Sequence, residues 1–333
     1  MRLLSNLLSI SVTIVLLAVL TLPALHVRTP SSDAARLRPA PAPVRTLGVY
    51  VDPWHVVRWA RDVGATPGMV AKFESFSRRR TIARFLAETQ RRGIRQALVS
   101  WEPWEPVPAR LGTTVQFLPQ PGYRNREIAA GAQDGYLKAF ARGLRAFHGT
   151  VWLRYAHEMN GTWYPWSHDP EGYVQAWRHV VGLVRSIAPN ARFVWSANPS
   201  LYEPIGPWAT GLRRYWPGAA WVDAVGSTVI DFGGRKTYTV ARFVPRLRAL
   251  RRTYGKPVMI AESNTQAAGR VAWLADLRAM LRGMPWVFAI AWSQLPSRGT
   301  AQMGAHAGRL DWSVARDPAA AAQLAAIARD GER

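Results

Sequence analysis

TVWLRYAHEMNGTWYPW, residues 150–166, starts as a strand and stops abruptly. Val151, Leu153 and Tyr155 alternate along its first half, the two-residue period of a strand with one face in a core. The alternation then gives way to His157 and Glu158, and Trp163, Tyr164 and Trp166 follow within eight residues of the glutamate. A carboxylate at a strand end beside aromatic rings suits a flat, hydroxyl-rich ligand, whose apolar faces stack on rings while its edges form hydrogen bonds. An apolar run closed by a carboxylate occurs again in KPVMIAE, residues 256–262, which ends on Glu262.

Short apolar runs recur along the chain, at 46–51, 69–74, 94–101, 150–158, 191–198, 221–229, 256–262 and 286–292. Helical periods lie between them, at 80–92, 128–147, 172–187 and 240–254; in the first, Ile82, Phe85 and Leu86 share a face and Gly93 closes the helix. Pro245 marks the first turn of the last. Eight strands alternating with helices predict an α/β fold, a (β/α)8 TIM barrel forming a single domain over 46–333. A doubly wound sheet alternates in the same way, but no Gly-x-Gly-x-x-Gly follows the first strand.

In such a barrel the carboxyl ends of the strands meet at one mouth. Here they carry Asp52, Glu74, Trp101 with Glu102, His157 with Glu158, Asn198, Asp231, Glu262, and Trp292 with Gln294. Glu158 and Glu262 end the fourth and seventh strands and are expected to face each other across the mouth, as glycoside hydrolysis requires of its two carboxylates. Trp101, Trp104, Trp163, Trp166 and Trp292 are expected in the cleft because they lie near strand ends, while the other tryptophans fill core. Arg154 and Asn198 are expected to supply positive or donor groups near Glu262. The segment WEPWEP, 101–106, opens a Pro- and Gly-rich loop reaching Arg126 that is expected to wall the cleft.

Composition narrows the rest. Cysteine is absent, which excludes disulfides, iron–sulfur clusters and zinc–thiolate sites. His157, Glu158 and His168 lack the His-Glu-x-x-His spacing, so neither a metal nor another cofactor is expected. The net charge of +22 invites a nucleic-acid reading, yet lysine stands only at 72, 138, 236 and 256, and arginine carries nearly all of the 43 basic residues, spread along the chain. That is a compositional bias, and no nucleic acid is expected as partner. Arg2 precedes an uncharged, mostly apolar run over 3–25, close to the roughly 20 residues that span a bilayer, and no convincing small-x-small cleavage site follows. Residues 1–28 are therefore expected to be a signal peptide or an uncleaved membrane anchor. Residues 29–45 read as a Pro/Ala-rich linker. The barrel is expected outside the cytoplasmic membrane as a monomer, secreted or tethered.

From about residue 46 to 300 the chain resembles glycoside hydrolase family 26. The resemblance is carried by IAAGAQDGYLKAFARGLRAF, 128–147, followed by LRYAHEMNGTWYPW, 153–166, which match the family's Gly-x-x-Asp helix and its Arg-x-x-His-Glu-Met-Asn-Gly-x-Trp-Tyr-Pro-Trp run, and it extends to KPVMIAE. It implies a β-mannanase-like retaining enzyme with Glu158 as general acid/base and Glu262 as nucleophile. It further implies that His157 and Trp163 line the sugar subsite beside the acid, and that Trp292 is an aromatic platform under the scissile sugar. Two departures stand out. Where the family has a tyrosine after the sixth strand, this chain reads VGSTVIDFGG, and Ser263 and Asn264 replace the usual Phe/Tyr-Gly after the nucleophile. The catalytic pair is kept while its surroundings have changed, which bears on the sugar recognised.

The expected reaction is hydrolysis of internal β-linkages of a polysaccharide by double displacement, with a raised pKa on Glu158 and a depressed one on Glu262. Two alternatives stand beside it. One is a non-catalytic, membrane-tethered polysaccharide-binding protein, and the other a transglycosylase acting on an endogenous exopolysaccharide.

Overall fold

The computed structural model describes residues 45–77, 82–106, 120–232, 238–294 and 313–332. The apolar segment, nearly all of the linker, and much of the loop between Trp101 and Arg126 lie outside the described residues. Eight strands, β1 (Thr46–Tyr50), β2 (Met69–Ser75), β3 (Gln96–Glu102), β4 (Thr150–Tyr155), β5 (Ala191–Ala197), β6 (Ala224–Ile230), β7 (Val258–Asn264) and β8 (Val287–Trp292), pair in sequence order. All neighbours are parallel, and β8 closes on β1 from Thr46↔Ala289 to Val49↔Trp292. The helices are α1 (Val56–Val63), α2 (Ile82–Arg91), α3 (Asn125–Ala129), α4 (Asp134–Arg145), α5 (Pro170–Ile187), α6 (Ile205–Arg213), α7 (Val244–Tyr254), α8 (Arg270–Arg282) and α9 (Pro318–Gly331). This is the (β/α)8 barrel that the alternation predicts. Among the described residues no helix is long and apolar enough to cross a membrane.

Helix boundaries follow from local chemistry. Asp169 caps α5 by accepting from Gly172 N at 3.0 Å, with Pro170 in the first turn. Helices α1 and α7 end at Gly64 and Gly255, with φ of 75° and 65°, and Pro245 sits in the first turn of α7 as expected. The single helix expected over 128–147 is instead two, because Gly131 turns left-handed at φ 93° before Asp134 starts α4.

The pleat divides each strand between two cores. Tyr50, Met69, Ala71, Leu98, Met259, Ala261, Ala289 and Ala291 fill the barrel, and Val49, Val70, Val99, Leu153, Tyr155, Ile260 and Ile290 pack against the helices. This parity corrects two expectations. Trp101 shares the outward side with Ala97 and Val99, stacks on Phe140 of α4 at 4.3 Å and donates to Tyr136 Oη at 2.9 Å, so it is core of the helix layer. Trp292 shares a side with Ile290 and is wholly buried, leaving no ring face open as a sugar platform.

Two strands leave the regular pattern at the mouth. β4 ends at Tyr155, three residues short of Glu158, and Glu262 lies inside β7. Between β6 and β7 the register steps from Ser227↔Ile260 to Thr228↔Glu262, which leaves Ala261 as the extra residue of a bulge. Ala261 and Glu262 therefore both face the barrel, where strict alternation would turn the glutamate towards the helices.

Gly149, at the entry to β4, tests how tightly the strand ends are packed. A Cβ there would lie 2.2 Å from the Arg95 carbonyl oxygen and 2.7 Å from the Phe147 ring. Backbone cannot give way as a side chain does, so Gly149→Ala is expected to cost about 2–3 kcal/mol in chemical denaturation, at the upper end of overpacking.

Candidate active site

The mouth is built around Arg154, the last inward-facing residue of β4, whose side chain is wholly buried. Its Nε donates to Ser196 Oγ at 2.9 Å, Nη1 to Ser100 Oγ at 3.3 Å and Nη2 to Thr228 Oγ1 at 3.0 Å. Nη1 also donates to Glu262 Oε1, and Nη2 lies 3.8 Å from Glu158 Oε1. Hydroxyls from β3, β5 and β6 thus hold one guanidinium between the two carboxyl groups. Burial opposes the charge of Arg154, but Glu262 and Glu158 outweigh it and raise its pKa.

Glu262 keeps 13% of its side chain exposed. Burial pushes its pKa up, Arg154 pulls it back, and the Glu158 charge pushes it up again; the net direction is upward. That is the reverse of the depressed value expected for this residue, because the bulge holds the carboxyl within the barrel mouth.

Glu158 stands in a turn forced by its neighbours. The Ala156 N–H donates to Trp101 O at 2.9 Å and the Glu158 N–H to Ser196 O at 2.7 Å, tying the chain to β3 and β5 after β4 itself has ended. Both residues adopt left-handed φ, 42° and 54°, a conformation that costs about 1–2 kcal/mol at a non-glycine residue. Thr228 Oγ1, already accepting from Arg154, donates to Glu158 Oε1.

Aromatic groups close one side. His157 is buried and bonds Tyr164 Oη through Nε2 at 2.8 Å; burial, then Arg154, hold its pKa well below the usual histidine range, so the ring is neutral. Trp166 stacks on Tyr164 at 4.1 Å and donates to His157 O at 2.9 Å. Trp166 is thus a wholly buried brace behind His157, and its expected cleft position is corrected. Trp163 is half-buried beside this group and covers Gly161, where a Cβ would sit 2.5 Å from the indole. Asn198 is partly exposed, but its Oδ1 accepts from Ser200 N at 2.8 Å and its backbone is clamped by Asn160, so it braces a turn and does not bond Glu262. Glu74 pairs with Lys72, whose ammonium lies over the Phe85 ring of α2, and so it faces the helix layer.

Several residues of the site escape the sequence reading. Tyr50 Oη bonds Ser100 Oγ at 2.9 Å and donates to Ala261 O at 3.1 Å, next to Glu262 in the chain. A phenol thus does reach the neighbourhood of Glu262, from β1 instead of from after β6. Phe73 stacks on Tyr50 at 5.0 Å and lies 5.9 Å from the His157 ring. Strand parity is the signal for both, once Ala71 and Leu98 are known to face inward. Ser100, Ser196 and Thr228 carry no such signal, since a hydroxyl in a strand is unremarkable until the guanidinium that it binds is known.

The sequence model of glycosyl hydrolase family 26 matches residues 133–292, from the cap of α4 to the end of β8. Residues 133–292 belong to glycosyl hydrolase family 26. Among relatives, the chain is 26% identical over 200 residues to endoglucanase H of Acetivibrio thermocellus, covering 56% of this chain and 20% of that protein. It is 30% identical over 146 residues to the β-1,3-xylanase TXYA of a Vibrio species, covering 42% and 29%. The chain thus spans less than a third of the length of either relative. A family 26 β-mannanase of Bacteroides ovatus shares the fold with a TM-score of 0.59 and 15% identity, covering 87% of this chain and 90% of that one. The catalytic domain of a Bacillus sp. JAMB-750 endo-β-1,4-mannanase gives 0.59 and 14%, covering 86% of each chain.

Arg154→Met should reveal how far the guanidinium holds the site together. It leaves two carboxyl groups in the mouth without their cation, and a loss of about 3–5 kcal/mol at neutral pH is expected. Without the cation the folded-state pKa of Glu262, already raised by burial, rises further. Protonation then relieves the variant, so its deficit should shrink as pH falls through that value and be greatest above it. Denaturation at pH 4 and pH 7 measures this, and an equal deficit at both would contradict it.

Proposed function

We propose that the chain is a retaining endo-β-glycanase, mannanase-like in architecture, which hydrolyses internal β-linkages of a polysaccharide outside the cytoplasmic membrane. The observation that carries this reading is that Glu158 and Glu262 close on the two terminal nitrogens of one buried guanidinium. Two carboxyl groups gathered on one guanidinium suit a retaining pair, whose members lie about 5–5.5 Å apart. Export rests on the apolar run after Arg2.

Glu262, ionised, attacks the anomeric carbon while protonated Glu158 gives its proton to the leaving oxygen. The bond to the leaving sugar breaks as the glycosyl ester forms. Glu158, now a carboxylate, takes a proton from water, which attacks the same carbon and frees Glu262. In each glutamate Oε1 is engaged, Glu158 by Thr228 and Glu262 by Arg154, which leaves Oε2 of each for the reacting atoms. Trp163 and Phe73 offer ring surface to the sugar faces. Endoglucanase, β-1,3-xylanase and mannanase names among the relatives make a panel of β-1,4-mannan, β-1,3-xylan and β-glucan the first screen.

On the substrate found, Glu262→Ala should reduce turnover to background. Glu158→Ala should lose about 10²–10⁴-fold on the glycan but retain the first step on an activated aryl glycoside, and azide should then release a β-glycosyl azide. An α-azide, or activity kept in Glu262→Ala, would overturn the roles. Binding of an oligosaccharide with neither cleavage nor transfer would favour the polysaccharide-binding alternative.

The pH profile gives a second check. The nucleophile must be charged, and its pKa is raised by burial, so kcat/KM should fall on the acid side at a pH above the usual carboxylate range. An acid limb within or below that range would contradict the assignment.

A further inference from the structure

The connection from β5 to α6 is held more firmly than a plain turn requires. Ser200 adopts a left-handed φ of 42°, fixed by Asn198 Oδ1 on its N–H at 2.8 Å. Arg246 of α7, 6% exposed, donates to the carbonyls of Pro199 at 2.8 Å, Ser200 at 3.3 Å and Glu203. Its guanidinium lies 4.8 Å from the centre of the Trp208 ring, and Trp208 Nε1 donates to Asn198 O at 2.9 Å. A buried arginine, an indole and a strained residue thus fix seven residues of surface loop.

This fixed turn holds Tyr202 out in solvent. At 68% exposure it is the most exposed large hydrophobic residue among those described. The ring contributes little to folding there, since burial of such a side chain would be worth roughly 2 kcal/mol and is forgone. The turn is also joined to the loop of Glu158. Asn160, two residues beyond the glutamate, donates from Nδ2 to Asn198 O at 2.9 Å and accepts from Asn198 N at 2.8 Å. Tyr202 follows the carboxyl end of β5 and so stands on the same face as the mouth, whereas Tyr50 and Phe73 line the mouth from β1 and β2, across the barrel.

We infer that Tyr202 is the stacking platform of a sugar subsite on the leaving-group side of the scissile bond, binding a pyranose ring of a β-linked glycan. The inference rests on Glu158 being the acid/base. A glycan that crosses the mouth from Phe73 towards β5 passes Glu262 and Glu158, and the part beyond the protonated oxygen runs over Glu158's own loop, to which the Tyr202 turn is pinned. With the backbone of the turn already held by Arg246 and Asn160, less of the chain is left to order when the sugar arrives.

Two substrates separate this subsite from the catalytic centre: a β-linked hexasaccharide of the polysaccharide that the chain cleaves, and a nitrophenyl β-disaccharide with no sugar beyond the scissile bond. With the full-length chain, Tyr202→Ala should lose about three- to tenfold in kcat/KM on the hexasaccharide, mostly through KM, and nothing on the nitrophenyl substrate. Tyr202→Phe should retain wild-type values on both. Equal losses on the two substrates, or none on either, would overturn the subsite. A readout without turnover runs alongside, the calorimetric titration of wild type and Tyr202→Ala with β-1,4-mannohexaose and β-1,3-xylohexaose. Weaker binding by the alanine variant supports the subsite even if the wild type cleaves nothing, which would sink the catalytic reading alone. Equal dissociation constants, or no binding of either sugar to wild type, overturn the subsite.

Discussion

One buried guanidinium sets the terms for the mouth of this barrel. Removing a charge from water costs several kcal/mol per ion even after relaxation, and Arg154 meets that cost only because every nitrogen of its fork is engaged. Ser100, Ser196 and Thr228 hold it from three strands, so it cannot follow either carboxylate outward. Glu158 and Glu262 must come to it instead. The backbone irregularities nearby serve that end. The Ala261 bulge turns Glu262 inward, and the left-handed turn at Ala156 and Glu158 brings the second carboxyl back over a strand that has already ended.

Such irregularities are stable only where the surroundings over-determine them. The turn after β4 is tied to β3 through Trp101 O and to β5 through Ser196 O, and Asn160 then clamps Asn198, the residue that follows β5. Behind it His157, Tyr164, Trp166 and Trp104 form one packed aromatic block, with Asn125 of α3 donating to Trp166 O at 3.1 Å. The run of aromatics after Glu158 thus has two jobs. Tyr164 and Trp166 build the buried block, and Trp163 is left half-buried beside it.

That division marks the limit of what the sequence discloses. The barrel was legible because its signals are periodic and repeated eight times, and the glutamates because each closes an apolar run. Side-chain direction at a strand end was not, since one residue of register decides between mouth and helix layer. Trp101 and Glu102 are neighbours in sequence, yet Trp101 packs on Phe140 outside the barrel while Glu102 lies inward, near enough to Tyr164 to help raise its pKa. Bulges defeat parity altogether, and the one at Ala261 is visible only in the pairing of β6 with β7. Asn198 shows another limit: an amide at a strand end reads as a ligand donor, but here it is spent on the turn that follows.

The charge balance of the mouth also constrains its chemistry. One guanidinium faces two carboxyl groups, so with both ionised the cluster carries a net negative charge in a site that penalises charge. A single proton on the pair relieves this. Double displacement starts from that same state, one carboxyl protonated and the other ionised. Arg154 supplies the asymmetry, because it hydrogen-bonds Glu262 directly while it stands 3.8 Å from Glu158 and reaches it through the Thr228 hydroxyl. A direct charge-assisted hydrogen bond favours the ionised form more than a relayed one does. The asymmetry thus lies in the contacts, a direct bond from the guanidinium to Glu262 and a hydroxyl relay to Glu158, and burial works against it by raising the pKa of Glu262.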